Sequence, residues 1–144
     1  MIRIVNVYKL EVVRTRIAEP AAPVNSAAEV AKRYAHLQRL DREHLIRLDL
    51  DSRNRIIGEE TVSIGTAGAA IITASEVFRG ALLAGATRAI IVVHNHPAGD
   101  PRPSEEDREV HAKLVEAGQI LGIPVVDFIV IGEEGKYWSV SQEV

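Results

Sequence analysis

A chain of 144 residues with 47% hydrophobic and 26% charged residues is long enough to build one domain with a real core and too apolar to be disordered. Seventeen Lys and Arg against 20 Asp and Glu leave a net charge of −3, which speaks against a protein whose main business is gripping phosphates and leaves room only for a local basic patch. With no cysteine there is neither a disulfide nor a thiolate zinc knuckle, so any metal has to be held by nitrogen and oxygen.

The chain opens with alternating apolar and polar residues from Ile2 to Arg14, a strand pattern, and Glu19-Pro20-Ala21-Ala22-Pro23 breaks it. No stretch resembles the apolar core of a signal peptide or approaches the roughly twenty apolar residues of a membrane span. Neither export nor membrane insertion is expected, and a cysteine-free chain suits the cytoplasm. Ser26-Ala27-Ala28-Glu29 reads as a capping box that opens a helix with Val30, Tyr34 and Leu37 as its core stripe, ending near Leu40. The runs from His44 to Asp51 and from Ile56 to Ile64 flank the polar turn Ser52-Arg53-Asn54-Arg55 and predict an antiparallel hairpin. After Gly65-Thr66-Ala67-Gly68 a short run reaches Thr73; Ser75 is the expected N-cap of a helix carrying Val77, Phe78 and Leu82 and closed by Gly85.

Thr87 to Val93 is almost continuously apolar, as a central strand covered on both faces must be. It delivers His94 and His96 into a loop rich in Pro and Gly. A helix from about Glu105 to Leu121 should bury Val110, Leu114, Ala117 and Leu121, with Gly122 and Pro124 as its stop signals. Val125 to Ile131 and Lys136 to Val140 are the closing strands, joined through Gly132-Glu133-Glu134-Gly135. The fold class is therefore α/β, a mixed sheet sandwiched by helices in a single domain spanning 1–144.

Alternate residues of a strand face one side, so His94 and His96 can aim both imidazoles at one point while Asn95 faces away. Asp107, at the start of the following helix, would be the third ligand. Two His and one carboxylate form a shell that zinc accepts with a fourth position open for water. Each residue singly has a bland explanation: a polar strand end, or an ordinary capping box at Ser104-x-x-Asp107. Two same-side imidazoles on a buried strand are harder to explain by packing, because buried histidine still needs polar partners.

The string His94-Asn95-His96-Pro97-Ala98-Gly99-Asp100-Pro101-Arg102-Pro103-Ser104-Glu105-Glu106-Asp107 resembles the metal motif of the JAB/MPN (JAMM) metalloenzymes, in particular their RadC-like branch. The resemblance extends from about Glu43 to Gly132 and includes Glu76-Val77-Phe78 and Leu121-Gly122-Ile123-Pro124. It implies a JAB/MPN fold related to the cytidine-deaminase-like sandwich, with one zinc ion bound by His94, His96 and Asp107. It further implies a catalytic Glu at the start of the strand after the first helix, where Glu43 stands. Glu59 and Glu60 in the neighbouring hairpin are the competing candidates. The implied activity is hydrolysis of peptide or isopeptide bonds in a peptide or protein substrate. Glu43 would take the proton of a zinc-activated water, and Ser104 would steady the oxyanion, alternating with its use as a helix cap.

Ala98 replaces a Ser of the family pattern, Ile72-Thr73-Ala74-Ser75 a Val-His-Pro-Arg-like segment, and Phe128 a His after Asp127. These departures bear on substrate and on tuning of the metal surroundings. The helix-hairpin-helix segment of longer RadC proteins is expected to be missing, since about forty residues precede Glu43. Of the other histidines, His36 is expected at the surface, His44 bonded at a sheet face, and His111 paired with Asp107 or near the metal.

A zinc nucleobase deaminase needs cysteine ligands, and a TIM-barrel amidohydrolase needs about 250 residues, so both are excluded. The binuclear His-x-His-x-Asp-His pattern is not supplied by Ala98-Gly99. The rival is a non-catalytic DNA- or protein-binding module in repair or recombination, which rests on family analogy and is disfavoured by net negative charge and 4% aromatic content. Oligomeric state stays open, with a homodimer through the strand at Ile2 to Leu10 as one option.

Overall fold

The structure, a computed structural model, describes residues 22–65 and 72–143. The strand expected from Ile2 to Arg14, with any dimer pairing through it, and residues 66–71 of the run towards Thr73 lie outside the described residues.

Among the described residues the elements are α1 (Ala27–Arg33), a 3-10 turn (Ala35–Arg39), β1 (Glu43–Leu50), β2 (Ile56–Gly65), α2 (Ala74–Ala84), β3 (Ala89–Asn95), α3 (Glu105–Leu121), β4 (Val125–Ile131), β5 (Tyr137–Ser139) and a last 3-10 turn (Val140–Gln142). The sheet runs β2-β1-β3-β4-β5, with β3 and β4 parallel and the other pairs antiparallel. The α/β class, the hairpin and the continuously buried central strand β3 are as the sequence predicts.

Period-two alternation splits the core into two layers. On one face Ile46, Leu48, Leu50, Ile91, Val93, Ile129 and Ile131 pack against Val30, Tyr34 and Leu37 of the first helical segment. On the other, Leu45, Ile90, Val92, Phe128 and Val130 meet Val77, Phe78, Ala81 and Leu114 from α2 and α3. Helices therefore cover both faces of the sheet, and β3 contributes to both layers.

Four local expectations are corrected. The first helix is not continuous to Leu40: it leaves α geometry at Tyr34 (φ −104°, ψ 13°) and tightens into the 3-10 turn, with Ser26 as N-cap accepting from Glu29 N–H. The N-cap of α2 is Thr73 rather than Ser75, because Thr73 is extended and its hydroxyl accepts from Glu76 N–H while the Glu76 carboxylate returns to Thr73 N–H. Leu82 and Leu121 are 50% and 42% exposed, and Ala81 and Gly118 take the buried positions instead. Gly118 allows the close approach, since a Cβ there would lie 2.5 Å from the Ile123 carbonyl. The last strand is shorter than Lys136 to Val140, because residues 140–142 turn back as a 3-10 turn.

Candidate metal centre

β3 runs out at Asn95, and the Pro- and Gly-rich loop carries the chain from the carboxyl end of the strand to the start of α3. The β3–β1 ladder ends at the pair His94–Leu45. Alternation puts His94 on the α3 side of the sheet and turns Asn95 to the opposite, α1 side, where it is completely buried. His96 follows two residues on, its N–H bonded to the Ile131 carbonyl, which prolongs the parallel pairing with β4. The loop is braced from below by the β4–β5 turn through Glu133 N–H to the Gly99 carbonyl.

Ser104 caps α3. Its hydroxyl accepts from Asp107 N–H (3.1 Å) and the Asp107 carboxylate accepts from Ser104 N–H (2.8 Å). This reciprocal box delivers Asp107 to the imidazoles. Its Oδ2 lies 2.9 Å from His96 Nε2 and its Oδ1 3.4 Å from His94 Nε2. Glu43, at the first position of β1, brings Oε2 to 3.5 Å from His94 Nε2. Glu43, His94 and His96 each place a ligand atom within 4.8 Å of the others. Two carboxylates thus compete for the third protein position. Asp107 lies within 3.4 Å of both imidazoles, and Glu43 within 3.5 Å of His94 alone.

The chemistry of these donors fits a divalent cation. His94 Nδ1 faces the His44 carbonyl at 2.9 Å, and His96 Nδ1 faces the Asp100 carbonyl at 2.8 Å. A carbonyl only accepts, so each Nδ1 donates to it and each Nε2 is left facing the cluster, able to bind a cation through its lone pair when unprotonated or to donate to a carboxylate when protonated. Lone pairs converging on carboxylates repel unless positive charge lies between them. Without a cation, a proton on His96 Nε2 meets the same demand: its hydrogen bond to Asp107 raises the His96 pKa against the opposing effect of burial. Burial alone would raise Asp107, yet the bonds from His96 and Ser104 N–H hold it below the ordinary carboxylate value.

The other acids are engaged elsewhere. Glu59 accepts from Tyr34 Oη, and burial together with that bond raises the Tyr34 pKa. Glu60 pairs with Arg47, a buried guanidinium also held by Asp49 and the Val77 carbonyl. His36 is exposed, and His44 Nδ1 bonds the Arg42 carbonyl rather than a sheet neighbour. His111 does not pair with Asp107; its ring packs edge-on against Phe128 at 5.7 Å. Sequence reasoning missed the His44 and Asp100 carbonyls that set the imidazole tautomers, because a backbone acceptor leaves no mark in residue identity.

The Ser104 hydroxyl accepts one N–H as cap and still has its own proton to donate. Capping therefore leaves a hydroxyl proton free to be donated.

A family model described as a RadC-like JAB domain matches residues 24–144. A UPF0758 protein of Methanococcoides burtonii is 45% identical over 126 residues, covering 87% of this chain and 54% of the relative. One of Methanosarcina acetivorans is 45% identical over 130 residues (90% and 56%), and one of Thermotoga maritima 40% over 120 residues (83% and 53%). The chain spans about half the length of these relatives.

Proposed function

This chain belongs to the family of RadC-like JAB domains, and from that premise we propose that it is a zinc-dependent hydrolase of peptide or isopeptide bonds. The observation that carries the reading is the pair of imidazoles held through Nδ1 by backbone carbonyls, both Nε2 atoms aimed at Asp107, with Glu43 beside them.

His94, His96 and Asp107 would hold the ion. Zinc bound there supplies Lewis acidity, lowering the pKa of a water in contact with it to roughly 7 and polarising a carbonyl oxygen. Glu43, with its side chain 17% exposed, is sheltered yet open enough to receive a proton from the attacking water. It then hands that proton to the departing amine, a role worth typically about 10²–10⁴-fold. Ser104, anchored as cap, donates its remaining hydroxyl proton to the oxygen on which negative charge develops. Asp107 is kept ionised by Ser104 N–H and by the first turn of α3, which favours a carboxylate.

Metal analysis of protein purified without added zinc should find about one equivalent, lost in His94→Ala. On a peptide and isopeptide panel, Glu43→Gln should retain the metal and lose turnover by about 10²–10⁴-fold. Unchanged cleavage by Glu43→Gln removes the acid from the mechanism. DNA binding that depends on salt and survives His94→Ala, with no cleavage by the wild type, would favour the non-catalytic module.

A further inference from the structure

Between the two histidines in the chain stands Asn95, whose side chain is buried on the opposite face of the sheet and is bonded through both ends of its amide. Asn95 Oδ1 accepts from His44 N–H at 2.6 Å, and Nδ2 donates to the Leu37 carbonyl at 3.1 Å and the Arg42 carbonyl at 3.0 Å. The orientation of the amide is fixed by its partners, since one is a donor and two are acceptors. Only an amide side chain offers an acceptor and two donors in one plane.

The location of these partners matters more than their number. Arg42 and His44 are the chain neighbours of Glu43, so the amide grips the backbone on both sides of the acid. The His44 peptide gripped through its N–H is also the residue whose carbonyl holds His94 Nδ1. The backbone ladder between β1 and β3 stops at Leu45 and His94, and the Asn95 side chain continues it along that edge, while the opposite edge of β1 is laddered to β2 through Glu43–Gly65 and His44–Ile64.

We propose that Asn95 is a positioning residue of the metal centre, which through the Arg42–His44 backbone aligns the Glu43 carboxylate and fixes the His94 imidazole for the ion. The proposal rests on the reading of this cluster as a metal site. Replacement of Asn95 should therefore weaken the ion's hold without touching a ligand, as loss of an outer partner of a ligating histidine typically does by about 10–100-fold.

The experiment is Co²⁺ affinity by chelator competition, with fold followed by circular dichroism, on wild type, Asn95→Ala, Asn95→Asp and Asp127→Ala. Asp127 is the control: it is also buried and bonds Phe128 N–H, Ser141 N–H and the hydroxyls of Ser139 in β5 and Ser141 in the last 3-10 turn, at a point of β4 opposite Ile91 rather than His94. Folded Asn95→Ala should bind Co²⁺ about 10–100-fold more weakly than wild type, whereas Asp127→Ala should lose thermal stability at unchanged affinity. Asn95→Asp keeps the acceptor for His44 N–H but sets a carboxylate against two carbonyls, and it should lose affinity likewise. Wild-type affinity in either folded Asn95 variant overturns the proposal, as does failure of both to fold, which would assign the residue to stability alone. A wild type that takes up no Co²⁺ at all overturns the metal-centre reading, and the positioning role falls with it.

Discussion

On the proposed mechanism Ser104 works twice from one side chain, so its removal should be visible twice. Ser104→Ala forfeits the cap of α3 and should lower unfolding free energy by about 1 kcal/mol, read from denaturant titration. If the hydroxyl also steadies developing charge, turnover should fall by about 10²–10³-fold at unchanged metal content. Loss of stability with full turnover would leave it a cap and nothing more. His111 carries a different signature. Burial, reinforced by nearby Arg108 and only partly opposed by Asp127, pushes its pKa below the ordinary imidazole value. A group whose folded pKa is depressed contributes stability in full above its unfolded value of about 6.5 and loses it as pH falls through the folded value. Wild type should therefore lose more stability than His111→Phe on acidification from about pH 7 to pH 5, measured in chelator so that both are metal-free. Equal losses would mean the ring titrates as it does in the unfolded chain.

At the scale of elements, helix ends and one close loop contact decide where the chemistry sits. Thr73→Ala should destabilise by about 1 kcal/mol and Ser75→Ala by a few tenths at most, because Thr73 alone accepts from the N3 amide of α2. The reverse ranking in thermal melts would restore the cap that spacing suggests. Gly132 closes β4 against the metal loop: a Cβ there would lie 2.5 Å from the Gly99 carbonyl and 2.8 Å from Pro101 Cδ. Backbone cannot yield as a flexible side chain can, so Gly132→Ala should shift the loop that carries His96, weakening metal binding as well as lowering the melting temperature. A drop in stability alone would uncouple the β4–β5 turn from the site. The helix, strand and loop order was legible because periodicity and the Gly and Pro punctuation are local. The break of the first helix at Tyr34 and the exposure of Leu82 and Leu121 were not, since they depend on which face the sheet happens to cover.

Across the whole molecule, the centre joins the sheet to the helix layer on one of its faces. Glu43 comes from β1, the imidazoles from β3 and its exit, and Asp107 from α3, so an ion held there would link the hairpin and the central strand to the helix that covers that face. Binding to the folded state alone should stabilise it by about 2.7 kcal/mol at a free metal concentration one hundred times Kd. Addition of chelator should lower the melting temperature of wild type and leave that of His94→Ala unchanged; equal response in both would place the stabilising ion elsewhere. Residue identity and short-range spacing determined the α/β class, the central strand, the same-side histidines and the carboxylate waiting at a helix start, because period-two and capping rules act within a few residues. Only tertiary structure decided that Glu59 and Glu60 are spoken for by Tyr34 and Arg47, leaving Glu43 facing His94. Tertiary structure alone also brought the His44 and Asp100 carbonyls behind the rings and closed the Asn95 amide around the neighbours of Glu43. Those contacts join groups up to 53 positions apart, and their partners are largely backbone, which every residue carries alike.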